Sequence, residues 1–331
     1  MDIEDIVALS VKHNAGDLHL CSGHVPFWRL DGRLQKIPDT PPVSDEMLSN
    51  AVECWLDTVQ HKQFALDGQI DFALTFPGGI RLRANLFRQR LGLSLALRVI
   101  SRHCPQPEQL RLPAVVSQLL QLHDGLVLVT GATGSGKSTT LAALAGAINQ
   151  QQAKHILSLE DPIEFIHHSE RSLVQQREIG LHCRSFSEGL RASLREDPDV
   201  ILLGELRDID TIQQALTAAE TGHLVLATLH TRGAAQAVER LVDVFPGVEK
   251  NLIRTQLAGS LKAVIAQRLV PGIKSGRVAL FEILVNTPAV ASLIREGKTH
   301  QLAGVLQTGL PFGMQSFEQS LAERRKSGLV A

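Results

Sequence analysis

The chain has 331 residues, long enough for two domains, and its 44% hydrophobic and 20% charged content is typical of soluble globular proteins. Its 33 Lys and Arg balance 34 Asp and Glu, so the overall basic charge expected of a nucleic-acid-binding protein is missing and we expect no nucleic-acid partner. No apolar run reaches the roughly 18–20 residues of a membrane span, and the acidic start M-D-I-E-D-I is unlike a signal peptide, so we predict a cytoplasmic protein without a transmembrane segment.

Residues 1–100 predict a mixed α/β domain. Ser44 is placed to cap a helix, and Asp31-Gly32 is typical of a tight hairpin turn. The apolar patterns predict a helix over 2–14, strands over 18–21 and 26–30, and a helix with an apolar stripe from Met47 to Val59.

Three runs of alternating apolar residues follow, at 70–76, 80–86 and 93–99, with a Pro77-Gly78-Gly79 turn between the first two. This pattern predicts an antiparallel meander with one buried face. The alternation puts Arg81, Arg83 and Arg98 off that face, either as ordinary surface arginines or as groups that reach a triphosphate while it is hydrolysed. The segment 101–113 contains three prolines, and we predict that it is an interdomain linker.

Beyond the linker, strands alternate with helices, which predicts a parallel α/β nucleotide-binding domain over residues 114–331. The predicted strands are unbroken apolar runs, as expected of strands buried on both faces. They cover 126–130, 155–159, 200–203 and 224–229, and the predicted helices cover 137–149, 187–196, 210–221, 233–244 and 251–268.

The segment G-A-T-G-S-G-K-S, from Gly131 to Ser138, is a complete phosphate-binding loop (P-loop) between the first of these strands and a helix. Backbone N–H groups of such a loop surround phosphate oxygens, the lysine reaches the β- and γ-phosphates, and the serine hydroxyl binds Mg²⁺. We therefore predict that ATP and Mg²⁺ bind here. The predicted contacts are Gly131, Ala132, Thr133, Gly134, Ser135, Gly136, Lys137, Ser138 and Thr139.

Carboxylates follow two other predicted strands. Glu205 ends the apolar run 200–203 in the arrangement called Walker B, in which an acid holds Mg²⁺ or its water. Glu160, Asp161 and Glu164 follow the strand 155–159. They form either a solvated acidic loop or a group in which one carboxylate orients and deprotonates the attacking water.

Histidines provide two further candidates. His223 and His230 flank the strand 224–229, either as satisfied polar residues or as phosphate sensors. His167-His168 and His182-Cys183 invite comparison with a zinc site, but their spacing is irregular. The four cysteines form no C-x-x-C pair, which favours free thiols in a reducing compartment.

Taken together, these segments resemble the secretion-ATPase superfamily and, within it, the type IV pilus retraction (twitching motility) ATPases. The resemblance covers nearly the whole chain. It is carried by A-G-D-L-H-L (15–20), R-L-D-G (29–32), L-E-D-P-I-E-F (159–165), Q-Q-R-E-I-G (175–180), L-R-E-D-P-D-V-I-L-L-G-E-L-R-D (194–208) and T-G-H-L-V-L-A-T-L-H-T (221–231).

The resemblance implies a homohexameric ring of subunits, each with a PAS-like N-terminal domain and a RecA-like ATPase domain. It implies that Glu164 activates water, with Glu160 in the same acidic box, and that Glu205 and Ser138 serve the Mg²⁺ site. His230 would sense the γ-phosphate, while Arg83 and Arg98 would approach it from the N-terminal domain. The ring would move a platform protein at the inner membrane, in a pilus or a type II secretion system.

One segment departs from the family pattern. Retraction ATPases have A-I-R-N-L-I-R-E near the C-terminus, whereas residues 289–296 read A-V-A-S-L-I-R-E, so Ala291 and Ser292 replace a charged and an amide residue. This difference favours one alternative to the motor, an ATP-binding regulator or scaffold with little turnover. A nucleic-acid translocase is a second alternative because it has the same core fold, although the net charge argues against it.

Overall fold

The computed structural model describes residues 2–13, 15–30, 33–76, 79–100, 104–273 and 276–331. The chain divides into two compact units, 1–102 and 103–331. The first contains a six-stranded antiparallel sheet and the second a mostly parallel seven-stranded sheet, which confirms the predicted α/β fold class. In the described part of the chain, no helix is both long and apolar enough to cross a membrane.

The first unit packs three helices with its sheet, whose strand order is β3-β2-β1-β6-β5-β4. The helices are α1 (Ile3–Lys12), α2 (Asp45–Trp55) and α3 (Thr58–Asp67), and the strands are β1 (Asp17–Cys21), β2 (Phe27–Leu30), β3 (Arg33–Lys36), β4 (Gln69–Phe76), β5 (Ile80–Gln89) and β6 (Gly92–Ile100). Strands β4, β5 and β6 form the predicted meander. The turn predicted at Asp31-Gly32 and residues 77 and 78 of the turn predicted at 77–79 lie outside the described residues.

The single helix predicted from Met47 to Val59 is wrong, because the chain turns at Leu56. The backbone of Leu56 is extended, with φ −87° and ψ 139°, and Asp57 then caps α3 by accepting from two backbone N–H groups. Leu56 itself is 6% exposed, whereas Val59 is 73% exposed and faces solvent. Two short helices, α2 and α3, therefore replace the single predicted helix.

The sheet of the second unit has the order β13-β12-β7-β11-β10-β8-β9. Its strands are β7 (Gly125–Thr130), β8 (His155–Glu160), β9 (Leu173–Glu178), β10 (Val200–Leu203), β11 (Leu224–Leu229), β12 (Leu261–Pro271) and β13 (Arg277–Val285). The helices are α4 (Val115–Leu119), α5 (Lys137–Gln151), α6 (Phe186–Ser193), α7 (Ile209–Glu220), α8 (Ala234–Asp243), α9 (Lys250–Ser260), α10 (Pro288–Arg295), α11 (Leu302–Thr308) and α12 (Phe317–Lys326).

Strands β7, β8, β10 and β11 are parallel, and all side chains of β7, β10 and β11 are buried. Burial on both faces explains why these strands are uninterrupted apolar runs in the sequence. Because the strands are parallel, their carboxyl ends meet at one edge of the sheet, where α/β proteins bind ligands. The P-loop follows β7 at this edge.

The helix predicted over 251–268 is also wrong in its second half. Helix α9 ends at Ser260, and β12 begins at Leu261 and runs parallel to β7. Residues 263–267 are all buried, which requires burial on both faces and suits a strand inside the sheet. β12 then pairs with β13 in antiparallel register, and α12 contacts β13.

The four cysteines are free thiols in different environments. Cys54 on α2 is exposed, while Cys21 and Cys183 are half-buried. Cys104 lies in the segment predicted as a linker, in which residues 107–111 form turns. Its Sγ donates to the carbonyl of Ala142 over 3.0 Å, and burial raises the pKa of Cys104 to about 11.

Candidate functional site

The P-loop between β7 and α5 is built around glycines. Gly136 has φ +92°, in the left-handed region that favours glycine. A Cβ atom at Gly131 would lie 2.4 Å from Ser135 Oγ and 2.5 Å from the carbonyl of Gln267. The loop thus keeps a close-packed turn whose backbone N–H groups stand at the start of α5, an arrangement that binds phosphate.

Lys137 lies folded into this loop. Its Nζ donates to the carbonyls of Gly131 (3.0 Å) and Ala132 (3.2 Å), and only 8% of the residue is exposed. Desolvation lowers the pKa of Lys137, while the negative charges of Glu205 and Glu164 oppose that shift. The ammonium group is therefore placed among carbonyl oxygens that a phosphate can replace.

Gln267 of β12, a residue outside the predicted site, holds the loop from the other side. Its Nε2 donates to the carbonyl of Ser135 over 2.7 Å, and its Oε1 accepts from Thr140 Oγ1 over 2.7 Å. The side chain is buried. Because 127 residues separate Gln267 from Thr140, no local pattern signals this contact.

Glu205 and His230 are brought together because β10 and β11 are neighbouring parallel strands. Glu205 Oε1 lies 3.2 Å from His230 Nε2, and Glu205 Oε2 accepts from Arg207 Nε over 2.7 Å. His230 Nδ1 lies 3.4 Å from Lys137 Nζ and 3.5 Å from Thr133 Oγ1. The predicted acid, histidine and lysine thus share one edge of the sheet.

Glu160 and Glu164 occupy different environments. Glu160 Oε1 accepts from Ser158 Oγ (2.6 Å) and Gln176 Nε2 (2.9 Å), and the Glu164 backbone N–H donates to the same carboxyl group. Burial raises the pKa of Glu160 despite these hydrogen bonds. Glu164 is exposed, so its carboxylate is open to water, while that of Glu160 fixes the turn that carries Glu164.

The donor set fits a magnesium nucleotide. Ser138 and Thr139 lie half-buried in the first turn of α5, and Ser138 and Glu205 offer the hydroxyl and carboxylate oxygens that Mg²⁺ prefers. Ser135 Oγ is buried and has no hydrogen-bond partner in the described part of the chain. A polar atom left unpaired inside a glycine-rich loop suits an anionic ligand.

Arg83 and Arg98 lie in the first unit, where they face each other across β5 and β6. Asp17 on β1 is opposite both Arg98 and Arg29 in the strand register. Arg98 Nε donates to Asp17 Oδ1 over 2.7 Å, and Arg29 Nε lies 3.6 Å from Asp17 Oδ2. Asp17 thus sits within a row of arginines that crosses four strands.

Two of the other candidate histidines have structural partners. His223 Nδ1 lies 3.1 Å from the carbonyl of Ala218 at the end of α7, and His182 Nδ1 accepts from the Glu178 N–H over 2.9 Å. Among the described residues, no group of three or more His, Cys, Asp or Glu could hold a metal ion.

The family described as type II/IV secretion system protein matches residues 2–324. The chain is 61% identical over 329 residues to the uncharacterized protein YggR of Escherichia coli (strain K12), covering 99% of each sequence. It is 45% identical to the type IV pilus retractation ATPase PilT of Pseudomonas aeruginosa, covering 100% of this chain and 96% of that protein. The solved structure of the pilus retraction motor PilT with bound ADP matches with a TM-score of 0.92 at 40% identity, covering 100% of this chain and 95% of that one.

Proposed function

This chain belongs to the type II/IV secretion system protein family and is a P-loop ATPase, and from that premise we propose that it works as a hexameric motor. The motor converts ATP hydrolysis into movement of a pilus, in the retraction direction, or of a type II secretion system. One observation carries the proposal: His230 lies between the other two groups, with its Nδ1 3.4 Å from Lys137 Nζ and its Nε2 3.2 Å from Glu205 Oε1, at the edge of the sheet where the P-loop follows β7.

Each residue of this edge has a proposed task. Lys137 and the P-loop N–H groups bind the phosphates, Ser138 and Glu205 hold Mg²⁺, and Glu164 activates water. When bound, Mg²⁺ supplies positive charge that offsets the charge of the phosphates.

We propose that His230 contacts the γ-phosphate, and its position between Glu205 and Lys137 supports this role. We propose that Arg83 and Arg98 complete the site from the first unit. Their guanidinium groups would stabilise the negative charge of the phosphates during hydrolysis, as arginine fingers do.

The proposed partners are five further copies of this chain and a membrane platform protein, with the ring in the cytoplasm at the inner face of the membrane. The names of the relatives support this, because they include ATPases of the type IV pilus and protein E of type II secretion systems. The near-neutral charge also fits a motor that pulls on protein rather than on a polyanion.

Glu164→Gln tests the proposed base. We expect Mg²⁺-dependent ATP turnover to fall at least about tenfold, equivalent to about 1.4 kcal/mol of barrier, because the amide cannot accept a proton from water. Lys137→Ala is the reference for lost phosphate binding. Glu170→Gln, which changes an exposed glutamate in the same region, is the matched control and should turn over ATP like the wild type. Equal rates for Glu164→Gln and wild type would remove Glu164 from the mechanism.

Native mass spectrometry with ATP tests the ring. We expect a species of six copies of the 36.0-kDa chain. A chain that binds ATP, forms no ring and turns over no faster than Lys137→Ala would instead be the regulator or scaffold that the departure at residues 291 and 292 suggests.

A further inference from the structure

Arg268 stands at a junction between the nucleotide site and the C-terminal helices. It follows Gln267 on β12, and successive residues of a strand point to opposite faces of the sheet. Gln267 contacts the P-loop, whereas Arg268 Nη2 donates to the carbonyl of Arg232 over 3.2 Å. The Arg268 guanidinium carbon also lies 4.0 Å from the ring centre of Phe317, the first residue of α12.

The carbonyl that Arg268 binds belongs to the loop that follows β11, residues 230–233, which begins with His230. The start of this loop is fixed by Thr130, whose Oγ1 accepts from the Thr231 N–H over 3.0 Å and contacts Thr231 Oγ1 at 2.7 Å. Its end is fixed by Glu282, which accepts from the Ala234 N–H over 2.8 Å. The hydrogen bond from Arg268 holds the middle of the loop.

Arg268 also carries a positive charge near two carboxylates, those of Glu282 and Glu318. In the β12–β13 register, Ala266 pairs with Glu282 and Arg268 with Leu280, so Arg268 and Glu282 are diagonal neighbours on one face. Glu318 on α12 also interacts electrostatically with Arg268. One guanidinium group therefore links the loop, β13 and the first turn of α12.

We propose that Arg268 is a positioning residue that holds the His230 loop against α12, so that the placement of His230 depends on that helix. The inference rests on the proposed role of His230 in ATP hydrolysis. Arginine suits the task because its planar group can donate a hydrogen bond and stack on an aromatic ring at once, which lysine cannot reproduce.

A competing interpretation is that Arg268 binds the nucleotide directly. It lines a cavity of about 390 Å³ together with P-loop residues 132–135, Arg232 and Arg277. Arg277 is the natural comparison, because its Nη1 lies 3.4 Å from the carbonyl of Gly134 on the P-loop itself. A residue that acts on ATP should change the KM for ATP, whereas a residue that acts through His230 should change kcat.

A double-mutant cycle in the full chain separates the two interpretations. We expect Arg268→Ala to lower kcat about fivefold with KM within about twofold of wild type, and Arg268→Lys not to restore kcat. In a His230→Ala background, Arg268→Ala should change kcat by less than about twofold, because its target is already gone. Arg277→Ala is the control and should act independently of His230→Ala. An equal loss of kcat in both backgrounds, or a rise in KM without a loss of kcat, would overturn the proposal.

Hydrogen–deuterium exchange gives a readout that does not need turnover. Without nucleotide, Arg268→Ala should speed exchange in residues 229–236 and leave α5 unchanged, and Arg277→Ala should leave 229–236 unchanged. Unchanged exchange at 229–236 in Arg268→Ala would overturn the proposal. If the wild type turns over ATP no faster than Lys137→Ala, the proposed function fails, and this exchange measurement still decides whether Arg268 holds the loop.

Discussion

The amide of Gln267 satisfies two buried polar groups, the carbonyl of Ser135 in the P-loop and the hydroxyl of Thr140 in α5. Gln267→Ala leaves both without that partner. We expect the free energy of unfolding of the second unit to fall by about 1–3 kcal/mol and ADP affinity to weaken, since the loop loses its support. Urea unfolding and ADP titration measure these effects.

The matched control for that substitution is Gln150→Ala. Gln150 is exposed near the end of α5. Its Nε2 donates to Oε1 of Glu170, which is also exposed, over 3.3 Å. Its loss should leave unfolding and ADP affinity close to wild type. A Gln267→Ala protein as stable as Gln150→Ala would show that the loop keeps its shape without the amide.

The buried carboxyl group of Glu282 should make the stability of the protein depend on pH. Burial raises the pKa of this carboxyl above its ordinary value, against the opposing effects of the Ala234 N–H and the charge of Arg268, while the nearby Glu318 adds to the rise. A raised folded-state pKa gives stability that is complete below the unfolded value and is lost as the pH rises through the folded value. The Tm of Glu282→Gln minus that of wild type should therefore increase between pH 4.5 and 7.5. A difference that stays constant over this range, measured by thermal unfolding, would contradict the prediction.

At the scale of elements, the strands that carry the site could be predicted because their apolar runs and the P-loop glycines are local signals. The break at Leu56 and the strand β12 could not. An apolar run such as 263–266 is compatible with a helix or a strand until its neighbours are known, and here pairing with β7 makes it a strand. Gln267 and Arg268 lie on that mispredicted strand, so their contacts stayed hidden with it.

Helix α10 contains the two residues that depart from the family pattern. Ala291 and Ser292 are half-buried, and Ser292 Oγ donates to Glu296 Oε1 over 2.9 Å within the helix. Ala291→Arg with Ser292→Asn restores the residue types of the retraction ATPases. We expect ATP turnover to stay within about twofold of the wild type, because a half-buried arginine can extend its charged end to solvent.

The informative measurement for this double variant is twitching motility in a strain that lacks its own retraction ATPase. The variant should restore more motility than the wild-type chain. Ser292→Asn alone is the control, because it changes the helix without adding charge. Equal motility with the wild type and the double variant would show that these two positions do not limit retraction.

At the scale of the whole molecule, the proposed chemistry is shared between the two units. The P-loop, Glu164, Glu205 and His230 belong to the second unit. The row of arginines around Asp17 belongs to the first. In the proposed motor, a need for both sets would couple ATP turnover to movement of one unit against the other. Such movement is the quantity that a motor has to produce.

The uneven environments of the four thiols make that movement measurable without engineered cysteines. Cys54 is exposed on the first unit, whereas the raised pKa of Cys104, about 11, leaves little reactive thiolate at neutral pH. A maleimide dye should therefore attach first to Cys54 and last to Cys104, which peptide mass mapping can verify against Cys54→Ser. The native chain then carries its own fluorescent reporter on the first unit, and we expect its anisotropy to change during turnover if that unit moves as proposed.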